Sequence, residues 1–183
     1  MHALTRIGLL VSSLALVPSA RADDKAPSHA MKPAQALTDA FSGMAGTWTC
    51  KGQFQTKSGT GESTSTMVLK RSVNGFAYSG EVTVAKNASL PAGLTEQLSW
   101  SYNAVTHKLV EFFVDSFGDV GSGTSDGLRG DTTLWEEDSV MMGQSTKSRT
   151  TVKRLGPKEV SLNFEVQMDG KWTSFGIKTC KKH

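Results

Sequence analysis

Apolar residues recur at Leu37, Ala40, Phe41 and Met44, the spacing of one helical face, and predict a short helix over about 33–44. Pro33 suits its first turn, and Gly43 and Gly46 end it. A helix this short does not stand alone in water, so its stripe must cap something. From Thr47 the period changes to two. Trp48, Cys50 and Phe54 alternate with Thr49, Lys51, Gln53 and Gln55. After a Ser-Gly-Thr-Gly turn at 58–61, alternation resumes over 66–72 and 76–84. Residues 86–93 read as a loop. Strands at 94–102 and 108–117 follow, separated by a turn at 103–107. The Gly/Ser/Asp-rich stretch 118–130 reads as a connection, and beyond it strands are predicted at 132–136, 140–144, 147–155, 160–168 and 171–180.

The gaps are hairpin-sized and leave no room for crossover helices, so the pairing is antiparallel. The pattern is all-β: a closed antiparallel up-and-down β-barrel of roughly 8–10 strands with a short N-terminal helix. Closure removes the exposed edges of a long meander. Cys50 and Cys180 stand at the two ends of the patterned region, placed to bridge the first strand to the last.

Asp169-Gly170 is the preferred pair for a two-residue hairpin turn. With Met168 opposite Lys171, Phe164 pairs with Phe175, Leu162 with Ile177, Val160 with Thr179 and Val166 with Thr173, giving one apolar face. The same register puts Cys180 beside Glu159 on the other face, whereas Cys50 shares a face with Trp48 and Phe54. Either a bulge shifts the last strand, or the bridge lies outside the barrel wall.

Residues 1–22 read as a secretory signal: Arg6, an apolar run at 7–17, and an Ala20-Arg21-Ala22 cleavage site before Asp23-Asp24. The apolar run is far shorter than the roughly 20 residues that span a bilayer. Residues 23–33 read as a flexible leader and 34–183 as one domain, secreted or periplasmic. Cleavage removes Arg6 and Arg21 and no acid, taking the formal charge from +3 to +1. No basic stripe of the nucleic-acid kind remains, and Lys178, Lys181 and Lys182 read as a solvated cationic end. Asn87-Ala88-Ser89 is a glycosylation sequon, meaningful in a eukaryotic source.

A helix followed by Gly46-Thr47-Trp48 at the head of a meander resembles the calycin superfamily of lipocalins and fatty-acid-binding-like barrels. Segments 46–52 (GTWTCKG), 100–117, 124–130 and 169–182 are similar to a calycin-like family of secreted bacterial proteins with no assigned activity. The resemblance implies a barrel whose Trp48 packs over the closed end and whose interior takes a small molecule. Of the basic residues that cradle a carboxylate in fatty-acid-binding proteins, only Arg149 or Arg154 could be counterparts. Haem-binding barrels with this opening need an axial histidine, whereas His107 falls in a predicted turn and His29 and His183 lie near the termini.

Few constellations carry chemistry. Gly123-Thr124-Ser125-Asp126-Gly127 fits G-x-S-x-G but lacks the strand-to-helix setting of a nucleophile elbow. Asp115, Asp119, Asp126 and Asp131 are oxygen donors without the spacing of a known calcium loop, and read as turn residues. No zinc-ligand spacing occurs. Glu111 and Asp115 share a face with Leu109 and Phe113, and Glu96 with Leu98 and Trp100. Inside a barrel such carboxylates would have raised pKa values; the reading adopted is that they sit wet at the rim.

The candidate ligand pocket comprises Trp48, Phe54, Met67, Leu69, Tyr78, Trp100, Tyr102 and Phe113. The expected function is non-enzymatic binding of a small hydrophobic or amphipathic molecule, without cofactor, nucleic acid or membrane span. The alternatives are an envelope interaction protein with a filled barrel, and an acid/base enzyme using Glu96, Glu111 or Asp115. An open interior of about 300 Å³ or more favours binding.

Overall fold

A computed structural model of the chain describes residues 31–56, 59–88, 90–141 and 143–183. The residues read as a signal (1–22), the expected leader through Ala30, Ser58 of the predicted first turn and Ser89 of the sequon lie outside the described residues.

The helix α1 (Gln35–Phe41) precedes eleven strands: β1 (Gly46–Thr56), β2 (Gly59–Ser72), β3 (Ala77–Val84), β4 (Leu94–Asn103), β5 (Lys108–Asp115), β6 (Val120–Ser125), β7 (Leu128–Arg129), β8 (Thr132–Met141), β9 (Gln144–Gly156), β10 (Glu159–Met168) and β11 (Lys171–Lys182). Strands β1 to β6 pair in sequence, β6 pairs with β8, β8 to β11 continue, and β11 returns to β1. All pairings are antiparallel, and ten strands form the ring. The two-residue β7 pairs only with the start of β8. The barrel is closed.

Two departures from the sequence reading have a physical cause. Segment 118–130 contains β6, a full wall strand, rather than a connection. Its Gly121 and Gly123 face inward, because a Cβ at Gly121 would strike the Phe113 ring and one at Gly123 would meet Glu111 Oε1 at 2.5 Å. Glycines that look like turn residues are clearance for large neighbours. Likewise, the strands predicted at 132–136 and 140–144 are one continuous β8.

The last hairpin keeps Met168 opposite Lys171 and Val166 opposite Thr173, then shifts register between Phe164 and Glu165. Phe164 therefore faces Gly176 rather than Phe175, Leu162 faces Lys178 rather than Ile177, and Val160 faces Cys180 rather than Thr179. Phe175 is the extra residue of a bulge. Residues 175 and 180 differ by an odd number, so strict alternation cannot turn both inward. Phe175 packs with Phe54 and Phe164 at ring centroids 5.9 and 6.1 Å apart, and Cys180 must reach Cys50. The bulge satisfies both demands. Cys50 then lies directly opposite Cys180 across the β1–β11 seam, with Cα atoms 3.9 Å apart and a formed disulfide. A formed disulfide points to an oxidising compartment outside the cytoplasm. Among the described residues no helix is long and apolar enough to cross a membrane.

The seam also depends on a close approach at Gly52, where a Cβ would run into the backbone of Ile177 and Lys178. Gly52→Ala is expected to destabilise by about 1–3 kcal/mol, as overpacking does. Urea denaturation measures it, and an unmoved midpoint would mean the seam spreads without strain.

Leu37 and Phe41 of α1 are buried in a cluster with Leu69, Tyr78, Trp100, Leu109 and Trp135. Phe41 stacks on Tyr78 at 4.6 Å. Carbonyls at the helix end and just beyond it, where the helical ladder runs out, are met by the barrel. Arg154 donates to Asp39 and Ala40 carbonyls at 2.6 and 3.0 Å, Lys182 Nζ to Gly43 at 2.8 Å, and Trp48 Nε1 to Met44 at 2.8 Å.

Candidate functional site: the barrel interior

The barrel encloses a cavity of about 450 Å³. Its wall runs from Ala40, Phe41 and Met44 at the helix end to Glu62, Asn87 and Leu90 at the opposite strand ends. Most of the lining is apolar. Five of the eight candidate pocket residues, Phe54, Met67, Leu69, Trp100 and Phe113, lie on this wall. Trp48, Tyr78 and Tyr102 do not. Trp48 is buried beneath the segment after α1, Tyr78 is covered by Phe41, and the Tyr102 hydroxyl lies 3.2 Å from His107 Nδ1 in the β4–β5 turn.

The polar part of the wall departs most from the sequence reading. Of the carboxylates expected to be wet at the rim, Glu111 and Glu96 are turned inward, because the pleat that buries Trp100 and Leu109 also buries Glu111, with 5% of its surface exposed. Trp100 Nε1 donates to Glu111 Oε2 at 2.9 Å. The other oxygen, Oε1, is buried and has no hydrogen-bond donor among the described residues. The neighbouring acid is Glu137 of β8, whose Oε2 accepts a 2.8 Å hydrogen bond from Ser148. Burial, and then the charge of Glu137, push the Glu111 pKa up to about 8. Glu96 is raised to about 7 by burial and by the charges of Asp115 and Glu137, against the opposing charge of Lys178.

Lys178 is the second correction: it is not part of a solvated cationic end but an inward residue with 6% exposure. Its Nζ donates to Ser65 Oγ at 3.2 Å and lies 4.9 Å from the Phe54 ring centroid. Burial lowers its pKa to about 8, opposed by the charge of Glu96. One signal for it was legible. If Cys180 faces inward to meet Cys50, then Lys178, two residues earlier, faces inward as well.

The arginines considered as a carboxylate cradle are engaged elsewhere. Arg149 donates to both Glu165 oxygens at 2.6 and 2.9 Å and stacks over Trp172, while Arg154 holds the helix carbonyls. The four aspartates do not converge. Asp115 Oδ1 accepts from the backbone of Phe117 and Asp119, Asp126 pairs with Lys108 and Arg129, and Asp131 lies near Lys153. Among the described residues no cluster of three or more metal-ligating side chains forms. Ser125 of the G-x-S-x-G match accepts from Gly127 N at 3.1 Å and leads into β7, not a helix.

No protein-family model and no curated protein matches the chain. Among solved structures, it is similar to the crystal structure of Rv2717c from M. tuberculosis, with a TM-score of 0.58 and 12% identity over 83% of this chain and 99% of that one. A redesigned β-barrel matches at a TM-score of 0.45 and 12% identity over 79% and 96%. At such identity the first likeness establishes the barrel fold alone.

Proposed function

We propose that this chain is an exported, non-enzymatic binding protein that holds a small amphipathic molecule inside its barrel. The observation that carries this reading is the cavity of about 450 Å³, apolar over most of its wall with a few buried polar groups. Volumes of roughly 300–1,000 Å³ with that lining are the usual form of a small-molecule site. A filled interior, which the envelope-protein alternative requires, is at odds with it. Export fits the signal-like segment 1–22 and the Cys50–Cys180 bridge. The calycin-like reading of 46–52 and 100–117 agrees with such a role by analogy only.

Native mass spectrometry of protein purified from its own host tests the reading. Wild type is expected to carry a retained small molecule, and Val82→Phe, which projects a ring from the wall into the cavity, to lose it while keeping its melting temperature within a few degrees. Fluorescence of Trp100 and Trp135, both on the wall, should shift with decanol or hydrophobic dyes. An empty wild type whose fluorescence and melting are unmoved by any of them would end the proposal.

An acid/base enzyme is the second reading, favoured by raised carboxylate pKa values inside the cavity. Turnover of a bound host molecule, abolished in Glu111→Gln, would replace binding as the function.

A further inference from the structure

Resting on the binding reading above, we propose that the cavity selects organic cations, and specifically that it takes a primary amine on an apolar body, its ammonium group seated against Glu111 and Glu137. The pairing of two buried acids is the starting point. Two carboxyl groups buried side by side cannot both ionise without a cation between them. Glu111 Oε1, on the cavity wall, has no N–H or hydroxyl donor among the described residues, and its contact is the carboxyl of Glu137. Its other oxygen is fixed by Trp100, and its neighbour Glu137 is held by Ser148, so both carboxyl groups are oriented before a ligand arrives. Gly123 supplies the clearance for Oε1.

The balance of charge points the same way. Glu62, Glu96, Asp115 and Asp119 also line the cavity, whereas its cations are Lys178 and Arg149. Arg149 is neutralised by Glu165, and Lys178 already has the Ser65 hydroxyl, the Phe54 face and the charge of Glu96. An anionic head would meet a cation that already has partners; a cationic head meets two carboxyl groups held together by a single proton. The indoles of Trp100 and Trp135 lie on the same wall, and aromatic rings attract an ammonium group where it reaches their faces.

The ionisable groups that act on Glu111 are Glu137 from β8 and Glu96 from β4, while β6 presents Gly123; Asp115, further along β5, acts on Glu96 instead. At neutral pH the Glu111–Glu137 pair keeps one proton. An ammonium group replaces that proton: the cation enters, one proton leaves to solvent, and the net charge of the site is unchanged.

Decylamine, decanol and decanoate share one apolar body and differ in the head, so calorimetric titration with the three separates the possibilities. Decylamine is expected to bind roughly ten- to a hundredfold more tightly than decanol, the range of a hydrogen bond to a charged group. At neutral pH it should release a proton, read from buffers of different ionisation enthalpy. In Glu111→Gln that preference and the proton release should both vanish while decanol binding persists, which shows the variant folded. Equal affinity for decylamine and decanol, or tightest binding of decanoate, would overturn the amine proposal and leave the binding reading standing. Binding of none of the three would overturn both.

Discussion

Removing the Cys50–Cys180 bridge is expected to lower the stability of the folded chain by roughly 4–5 kcal/mol, the value for a closed loop this long in the chain-entropy treatment. The two cysteines are 130 positions apart, so the bridge restricts nearly the whole unfolded barrel sequence. It also pins the pairing with the greatest sequence separation, β1 with β11. Contacts of this kind are paid for in loop-closure entropy before they return anything, and they slow folding. The cross-link removes that cost in advance. The check is urea unfolding of oxidised wild type against Cys50→Ala with Cys180→Ala, together with refolding rates. The double variant should show a lower midpoint and slower refolding. A loss under about 1 kcal/mol, at the weak end of disulfide effects, would mean that strand hydrogen bonds and Val160 packing hold the seam unaided.

The same bridge explains which parts of the molecule were legible in the sequence. Alternation is a local signal, and it located β1, β3 to β5, β10 and β11, whose inner faces carry large apolar side chains. It failed at β6 because Gly121 and Gly123 yield the inner volume to Phe113 and Glu111 on β5, and a strand whose inner residues are absent has no hydrophobic period. It also failed after Phe175, since a bulge reverses the parity of every later residue. The disulfide is the non-local constraint that restores the parity. Applied to the last strand, it turns Cys180 and Lys178 inward and Ile177 outward, where Ile177 is in fact 54% exposed.

The acids were hidden for a different reason. Their positions in the alternation placed them with Leu98, Trp100 and Leu109, but the general cost of burying a carboxylate argued for the rim. The indole of Trp100, the proximity of Glu137 and the loss of ionisation make burial tolerable for Glu111. None of these is visible without the cross-strand register that sets Glu111 opposite Trp100 and Gly123.

That manner of burial gives the second large effect, an inverted dependence of stability on pH. Glu111 and Glu96 have ordinary pKa values of 4.5 and folded values of about 8 and about 7. Between those limits the folded chain binds more protons than the unfolded one, so its stability falls as pH rises. The contribution is complete below the ordinary value and gone above the folded one. Lys178 acts in the opposite sense at higher pH: its folded value of about 8 lies below the ordinary 10.5, so the unfolded chain binds more protons across that interval and stability climbs again. Glu165, lowered by Arg149, loses its contribution only as pH falls below the ordinary carboxylate range. The curve should therefore reach a maximum near pH 4.5 and a minimum near pH 8. The fall between them is several kcal/mol, since each tenfold change in proton affinity is worth about 1.4 kcal/mol and the coupling of the acids keeps the total below the sum of their separate shifts. Glu111→Gln keeps the shape and an acceptor for Trp100 without the ionisation. It should flatten most of the fall and exceed wild type in stability above about pH 8, where wild type carries a buried charge. Urea unfolding free energies measured at intervals across this range decide it. A wild-type curve that is level or rising between about pH 5 and pH 8, where acids with raised values must make it fall, would show that Glu111 ionises freely and is open to water.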